Sequence, residues 1–367
     1  MRFVRGLHTS RVVRGFRRST DGSSGAAIPS TPRKASGEFR WFEKAAPYGR
    51  LNKNAPQIPT DSISVPVGTA DTLPQLRSAD LVMWPGEVQA QLHHLGSFKP
   101  DQQHELFKEY VSLIRGETRK LWDKFLAPGK SVVLTGDGGV GKSSLLAQAH
   151  AAAKLQHWGV IHITRASDLL DGSTDAIFNE KTKLWEQPMY MARLGKKTLK
   201  GNRDLELSKD VKNVRTLQDL LRAFGEQKVL VTVDNLNAIS QQVYAKNTDR
   251  DNNPIYHADL EVVNTLLSWI QSPPANVTVM GATCAALKPI DWQGYAYAPL
   301  TDFDPALVAK LKGAEIATVG HLSGPETAAF VKYLNAVDIT NKSWEELYQY
   351  GNGNPRTVLT EATNFSY

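Results

Sequence analysis

Several continuous runs of apolar residues lie along the chain, and segments with helical spacing separate them. Runs that are apolar throughout are typical of strands buried on both faces of a parallel sheet. The alternation with helical segments predicts a doubly wound α/β fold, in which helices flank the sheet. The predicted strands are residues 132–135, 160–164, 229–234, 277–281 and, less regular, 316–319.

Two further stretches have helical spacing. Residues 101–126 place Leu106, Tyr110 and Leu113 three or four positions apart, which predicts a helix before the first strand. Beyond Pro325 the segments ETAAFVKYLNAV and SWEELYQY predict a small helical C-terminal lid. The domains expected are a presequence at 1–20, an extended arm at 21–100, a core domain at 101–322 and the lid at 323–367.

The arm is predicted from its prolines and polar residues. Prolines are excluded from helix interiors, so nine of them between residues 29 and 100 oppose long helices. The pattern indicates an extended segment anchored by aromatic residues such as Trp41, Phe42 and Trp84. It leaves open whether the arm is free or lies across a partner.

Charge is concentrated at the beginning of the chain. The first twenty residues hold six arginines and no acid, which is typical of a mitochondrial transit peptide, the alternative being a basic arm that binds nucleic acid. Without these six, 37 of the 43 basic side chains remain, equal to the 37 acidic ones. The mature protein is therefore predicted to be close to neutral. No run approaches the length of about 18 apolar residues that spans a bilayer, so no membrane insertion is expected.

The stretch LTGDGGVGKSSLL begins with the last two residues of the strand predicted at 132–135 and runs into a predicted helix. Its spacing matches G-x-x-x-x-G-K-[ST], the P-loop, in which backbone N–H groups, a lysine and a hydroxyl hold phosphates and Mg²⁺. It predicts a nucleotide site in which Lys142 reaches the terminal phosphates and Ser143 ligates the metal. The phosphate-binding residues expected are Gly136, Asp137, Gly138, Gly139, Val140, Gly141, Lys142, Ser143 and Ser144.

A second metal ligand is expected at the end of a neighbouring strand. The stretch VLVTVDN places Asp234 at the carboxyl end of an apolar strand, where it would share Mg²⁺ with Ser143. ATPases that activate water commonly carry Glu at the next position, but here it is Asn235, which cannot take a proton at neutral pH. Hydrolysis is therefore predicted to be slow or absent, unless Asp259 or Glu261 supplies a carboxylate.

Two other positions resemble the sensors of AAA-type ATPases, which makes the predicted fold an AAA-like P-loop NTPase. Thr283 closes the stretch VTVMGAT, just after the strand predicted at 277–281, and Arg356 in GNGNPR would reach back from the lid to the phosphates. Each residue also has an interpretation without a nucleotide: Thr283 as a hydroxyl at the end of a strand, and Arg356 as part of a helix start on the surface. A guanine-reading N-K-x-D motif is absent, so the residues themselves do not choose GTP over ATP.

Residues 181–203 hold seven basic side chains and one acid, with Trp185 and Tyr190 among them. Such a stretch either contacts RNA, with aromatic rings available for stacking, or forms a solvated surface.

The arginine-rich presequence, GDGGVGKSSLL, WEQPMY with the basic residues after it, VTVDN and GNPR together resemble the death-associated protein three family. Its members are P-loop GTP-binding proteins of the mitochondrial small ribosomal subunit, and the resemblance covers about residues 100–367. It implies a structural subunit that binds GTP or GDP with Mg²⁺, contacts rRNA and ribosomal proteins, and bridges to the large subunit. ATP stays possible. The rival hypothesis is an active mitochondrial AAA-type ATPase that remodels DNA or protein complexes, and a signalling GTPase is disfavoured by the missing base motif.

Overall fold

The computed structural model describes most of the chain beyond residue 64. The presequence predicted at 1–20 and the first part of the predicted arm, residues 21–64, lie outside the described residues. The described ranges are 65–98, 110–166, 169, 177–186, 199–200, 216–240, 244–248, 254–256, 259–284 and 311–363.

Both helices and strands occur over the described residues, and they alternate strictly between residues 81 and 163. The helices are α1 (Gly86–Leu95), α2 (Gly116–Phe125), α3 (Lys142–Leu155), α4 (Leu217–Ala223), α5 (Glu261–Gln271), α6 (Gly324–Ala336), α7 (Trp344–Gly351) and α8 (Pro355–Thr363). The strands are β1 (Leu81–Met83), β2 (Val111–Leu113), β3 (Ser131–Thr135), β4 (Gly159–Ile163), β5 (Ile177–Asn179), β6 (Leu184–Glu186), β7 (Leu199–Lys200), β8 (Val229–Asp234), β9 (Tyr244–Thr248), β10 (Pro254–Tyr256), β11 (Val277–Ala282) and β12 (Glu315–Thr318).

The central sheet confirms the predicted α/β class. Its strand order is β12-β3-β11-β8-β4-β7, and the first five strands are parallel, while β7 runs antiparallel to β4. All five predicted strands are present, and each boundary agrees within one residue. Four of the five are buried along their whole length, which is why they read as continuous apolar runs.

Helices cover both faces of the sheet. Val132 and Leu134 of β3 pack with α3, whereas Val133 between them packs in the cluster that contains α4 and α5. The alternation follows from the two-residue period of a strand. The carboxyl ends of the five parallel strands therefore open between two helical layers, at the edge where parallel sheets bind ligands.

The extended arm predicted up to residue 100 is wrong for residues 65–98. This segment contains β1 and the ten-residue helix α1, and it packs on α3 through a shared apolar cluster. Pro85 precedes α1 and Gly96 ends it in the left-handed region, so the prolines lie outside the helix. Val88, Leu92 and Leu95 form its buried stripe. The prolines limit where a helix begins but do not exclude one.

The helix predicted at 101–126 is also partly wrong. Residues 111–113 form β2, which pairs antiparallel with β1, and helix α2 begins only at Gly116. Residues 101–109 lie outside the described part. Pairing with a strand some thirty residues upstream overrides the helical spacing of Tyr110, Leu113 and Ile114.

The helical character of the C-terminal segment is confirmed. Helices α6, α7 and α8 share an apolar cluster of their own that includes Val331, Leu334, Leu347 and Val358. Ser323 caps α6 and Ser343 caps α7 through hydrogen bonds from the third helical N–H. Among the residues described, no helix is long and apolar enough to cross a membrane.

Candidate functional site

The glycine loop, residues 136–141, connects the end of β3 to the start of α3. Gly136, Gly139 and Gly141 have φ angles of +125°, +84° and +96°, in the region that residues with a Cβ rarely adopt. The loop is therefore a tight turn that only this distribution of glycines allows. It brings the N-terminus of α3 to the carboxyl edge of the sheet.

Three consecutive carbonyl groups of this loop accept hydrogen bonds from outside it. Asn354 Nδ2 donates to the Gly138 oxygen at 2.9 Å, and the backbone N–H of Arg356 donates to the Gly139 oxygen at 3.3 Å. Arg115 Nη1 donates to the Val140 oxygen at 2.6 Å. Two of the donors belong to the C-terminal helical segment and the third lies immediately before α2.

These contacts determine the direction of the loop's N–H groups. In a trans peptide the C=O and the following N–H point in opposite directions. The N–H groups of Gly139, Val140 and Gly141 therefore point away from the three donors, and within the described residues nothing accepts a hydrogen bond from them. Adjacent unpaired N–H groups at a helix N-terminus form an anion-binding site.

Lys142 is the first residue of α3, and its side chain is buried. Its ammonium group donates to the Gly136 carbonyl and, at 2.8 Å, to the Asp137 carbonyl. The cation thus lies over the loop, and it must turn from these carbonyls if it is to reach a terminal phosphate. Ser143 and Ser144 follow in the first turn of α3 and are half-buried.

Asp234, the predicted metal ligand, lies on the same edge of the sheet. It is in register with Ala282 of β11, and Ala282 is in register with Leu134 of β3. Residues in register on parallel strands share a face, so Asp234 lies on the face that α3 covers. Two strand spacings, about 10 Å, separate it from the strand that leads into the glycine loop. The neighbouring Asn235 adopts φ +56° and donates its N–H to Asp234 Oδ1 at 2.8 Å.

The donors at this edge fit Mg²⁺. The cation prefers oxygen ligands and usually takes one or two carboxylates together with phosphates and water. Ser143 supplies a hydroxyl and Asp234 a buried carboxylate. No group of three or more His, Cys, Asp or Glu side chains among the described residues forms a metal site. A cation here would therefore complete its shell with phosphate and water.

Thr283 lies just beyond β11 and is buried. Its N–H and its hydroxyl both donate to the carbonyl oxygen of Leu134, at 2.9 and 3.2 Å. It therefore joins the end of β11 to the strand that leads into the loop, and a contact with phosphate stays a prediction.

Arg356 and two residues that the sequence did not indicate surround the loop. A Cβ placed on Gly139 would lie 2.8 Å from the Cβ of Arg356, so helix α8 touches the loop directly. Arg115 also donates from Nη2 to the carbonyls of Gly320 and His321, at 2.8 and 3.3 Å. His321 Nε2 lies 3.4 Å from the carboxylate of Asp137. Only the tertiary structure brings Arg115 and His321 to the loop.

A cleft of about 530 Å³ opens beside the loop, between α2 and the segment that leads into α6. The carboxylate of Glu326 in its wall accepts from Ser323 N at 2.9 Å, Ser78 Oγ at 2.7 Å and Gly116 N at 2.9 Å. Burial alone would raise the pKa of Glu326, but these hydrogen bonds lower it below 4.5. Glu326 thus holds the first turns of α2 and α6 together.

A buried polar chain lies beneath the site. His150 of α3 contacts Ser97 Oγ through Nδ1 at 2.7 Å and Thr232 Oγ1 through Nε2 at 2.6 Å. His162 Nδ1 contacts the same Thr232 hydroxyl at 2.8 Å. Burial, followed by the nearby His162, lowers the pKa of His150 well below 6.5, against an opposing effect of Asp234. The chain joins α3 to two strands of the sheet.

Glu261, one of the two carboxylates considered as a base, is engaged elsewhere. It is buried at the start of α5, where Thr265 Oγ1 donates to it at 2.6 Å. Burial raises its pKa, opposed by the Thr265 hydroxyl and by a hydrogen bond from the Leu217 backbone. These partners lie on α4 and α5, so Glu261 serves the packing of these two helices.

The basic stretch is described only in part. Residues 177–186 form the β5–β6 hairpin, in which Lys183 pairs with Glu180 at 2.7 Å and lies over the ring of Phe178. Trp185 packs partly against the core. The QPMY segment and most of the lysines that follow lie outside the described residues, so the RNA contact stays a prediction.

Comparison with known proteins agrees with the sequence motifs. The family model described as mitochondrial ribosomal death-associated protein 3 matches residues 112–218 and 207–361. The small ribosomal subunit protein mS29 of Neurospora crassa is 36% identical over 115 residues, which cover 30% of this chain and 24% of that protein. The matched part thus spans about a quarter of this relative. Since the family model covers more than half of the chain, the chain belongs to the mitochondrial ribosomal death-associated protein 3 family, and the predicted mitochondrial ribosomal localisation is confirmed.

Proposed function

We propose that the chain is a structural component of the mitochondrial small ribosomal subunit that binds a purine nucleotide and Mg²⁺ at its glycine loop. One observation carries the nucleotide site: the carbonyls of Gly138, Gly139 and Val140 all accept from outside the loop. The N–H groups that follow them are thereby directed away from those donors, in the arrangement that binds an anion.

The charges of the site are those that a nucleotide requires. Lys142 supplies a cation that donates to the carbonyl oxygens of Gly136 and Asp137, and a charged phosphate oxygen accepts a stronger hydrogen bond than a carbonyl oxygen does. The N-terminus of α3 adds a partial positive charge. Ser143 and Asp234 would hold Mg²⁺, which neutralises phosphate charge when it is bound.

The base is proposed from the family resemblance rather than from a contact. The resemblance favours GTP or GDP, and ATP is the alternative. Competition between GDP and ADP for the site distinguishes the two. Both carry the same phosphates, so a difference in their affinities reports the preference for the base.

Turnover is proposed to be weak or absent. Asn235 occupies the position after the metal ligand, and an amide cannot accept a proton from water at neutral pH. Glu261 is committed to Thr265 and the Leu217 backbone, which removes one of the two replacement carboxylates.

The ribosomal role is supported by family membership and by the similarity to the Neurospora crassa relative, a small ribosomal subunit protein. We propose rRNA and ribosomal proteins of the small subunit as partners, together with a bridge to the large subunit. The near-neutral charge of the chain beyond residue 20 favours a peripheral position held mainly by protein contacts.

The experiment that tests the nucleotide site compares Lys142→Ala with the wild type and with Lys130→Ala. Lys130 is exposed and lies just before β3, so its loss controls for the change in charge. Titration calorimetry with MgGDP should detect binding to the wild type and Lys130→Ala but not to Lys142→Ala. Equal affinities for all three proteins would refute the site.

The ribosomal role has a separate test. After a salt wash and sedimentation of a mitochondrial lysate, the protein should remain with the small subunit. Recovery in the light fractions would favour the second candidate, an active AAA-type ATPase. Arg356 favours that candidate, since its backbone N–H donates to the Gly139 carbonyl and the residue resembles the sensor arginine that reaches from the lid of AAA-type ATPases to the phosphates. Steady-state hydrolysis at tens per second would support it.

A further inference from the structure

Arg115 is a buried arginine that three backbone carbonyls hold in place. Its Nη1 donates to Val140, and its Nη2 donates to Gly320 and His321. Only 6% of its side chain is exposed, and Glu117 lies 3.5 Å from Nη2. Withdrawing a guanidinium from water lowers the stability of the fold, so the burial of Arg115 requires an explanation.

The contact with Val140 controls the peptide that leads into α3. While the Val140 carbonyl points toward Arg115, the Gly141 N–H of the same peptide must point the other way. Gly141 has φ +96°, and a peptide next to glycine is easily rotated because no Cβ opposes it. An external donor is therefore what selects this orientation from those that the glycines allow.

Arg115 also connects this peptide to the segment that follows β12. The guanidinium donates to the loop through Nη1 and to the Gly320 and His321 carbonyls through Nη2. His321 contacts the loop through Asp137, and its Nδ1–H donates to the Asn352 carbonyl oxygen at 2.7 Å. The loop and the start of the C-terminal segment are thereby held as one unit.

We propose that Arg115 is a positioning residue of the nucleotide site, which acts through the Val140 carbonyl to direct the Gly141 N–H at a phosphate. This inference rests on the proposed nucleotide binding. Arg115 would raise phosphate affinity without touching the nucleotide, because it removes the need to rotate the peptide when the ligand binds. The other loop donors, Asn354 and the N–H of Arg356, set the two preceding peptides.

The test uses Arg115→Lys in the full chain, with Arg119→Lys as the matched control. Lysine keeps the charge but has no fork that spans two carbonyls. Arg119 lies four residues further along, in the first turn of α2, and donates to the Leu73 carbonyl at 2.9 Å, away from the loop. Titration calorimetry with MgGDP gives Kd, circular dichroism verifies folding, and the melting temperature without nucleotide measures stability. Arg115→Gln is a second variant in case the lysine protein does not fold.

We expect the Kd of Arg115→Lys for MgGDP to rise roughly tenfold or more, while Arg119→Lys binds like the wild type. The loss of affinity should be larger than the loss of stability that the melting temperature reports. Wild-type affinity in a folded Arg115 variant would overturn the proposal and leave the nucleotide site intact. An equal loss in Arg119→Lys would overturn it as well, since the effect would then be structural. Absence of MgGDP binding by the wild type would overturn the proposed function itself.

Discussion

The Asn354 side chain donates a hydrogen bond of 2.9 Å to the carbonyl oxygen of Gly138, 216 residues earlier in the chain. The bond joins the C-terminal helical segment to the glycine loop. Asn354 Oδ1 also accepts from the N–H groups of Arg356 and Thr357 at the start of α8, so it fixes its own helix while it contacts the loop. The shape of the loop therefore depends on a segment that is distant in sequence.

Gly139→Ala tests how closely these two parts fit. Gly139 has φ +84°, and an added Cβ would lie 2.8 Å from both the Arg356 Cβ and Asn354 Oδ1. Strained backbone and a clash with another segment should together cost about 1–3 kcal/mol of unfolding free energy. Denaturant unfolding of the purified chain measures it.

Gly138→Ala is the matched control. Gly138 has no positive φ, and nothing lies within 4 Å of an added Cβ, so its stability should change by less than about 1 kcal/mol. Equal losses for the two variants would mean that the loop does not pack on the C-terminal segment as described.

His150 should make the protein sensitive to mild acid. Its folded pKa lies well below 6.5, so below pH 6.5 the unfolded chain binds the proton more readily. Its contribution to stability is complete above pH 6.5 and is lost as the pH falls toward the folded pKa, by at most ~1.4 kcal/mol per pH unit. In His150→Gln, the free energy of unfolding should therefore depend less on pH between 6.5 and 5.

The exposed His157, two residues after the end of α3, provides the control. His157→Gln should keep the slope of the wild type in the same urea titrations. His93, whose pKa burial lowers to about 4, contributes a slope of the same sign that all three proteins share. An unchanged slope in His150→Gln would show that this histidine does not resist protonation.

Glu326→Gln should weaken the junction between α2 and α6. The folded pKa of Glu326 is below 4.5, so the charged carboxylate stabilises the protein above pH 4.5, and this effect is lost as the pH falls through the folded pKa. At pH 7 the variant should lose about 1–3 kcal/mol, as expected for hydrogen bonds to a charged group. The difference from the wild type should narrow below pH 4, where thermal unfolding can follow it.

Glu346 occupies the equivalent third position of α7, but it is exposed. Glu346→Gln should change stability by less than about 0.5 kcal/mol. A similar loss in both variants would contradict a specific role of the Ser78 and Gly116 contacts.

Asn235→Glu tests why turnover is expected to be slow. A carboxylate at this position could accept a proton from water, so hydrolysis of GTP should rise above the wild-type rate. The backbone at φ +56° suits asparagine better than glutamate, so Asn235→Gln serves as a control with a similar side-chain length and no base. If a phosphate-release assay finds equal rates of hydrolysis for both variants, the residue at position 235 does not limit turnover.

The relation between pattern and structure differs from one segment to the next. The strands were predicted within one residue because burial on both faces makes them apolar throughout, a signal that each strand carries by itself. The helical prediction for residues 111–113 is wrong because their pairing with β1 is a long-range contact, which the local spacing of residues does not reveal. The prolines before α1 concealed a helix that begins directly after Pro85.

The sequence by itself determined the parallel α/β core, the glycine turn at the end of β3, the helix that follows this turn and the helical character of the C-terminal segment, because each depends on residues close together in the chain. Only the tertiary structure decided which groups surround the loop. Arg115 precedes β3, and His321 and Asn354 follow β12. The three residues contact Val140, Asp137 and Gly138, respectively. Hydrogen bonds between such distant segments depend on how the layers pack, and no local pattern of residues encodes them.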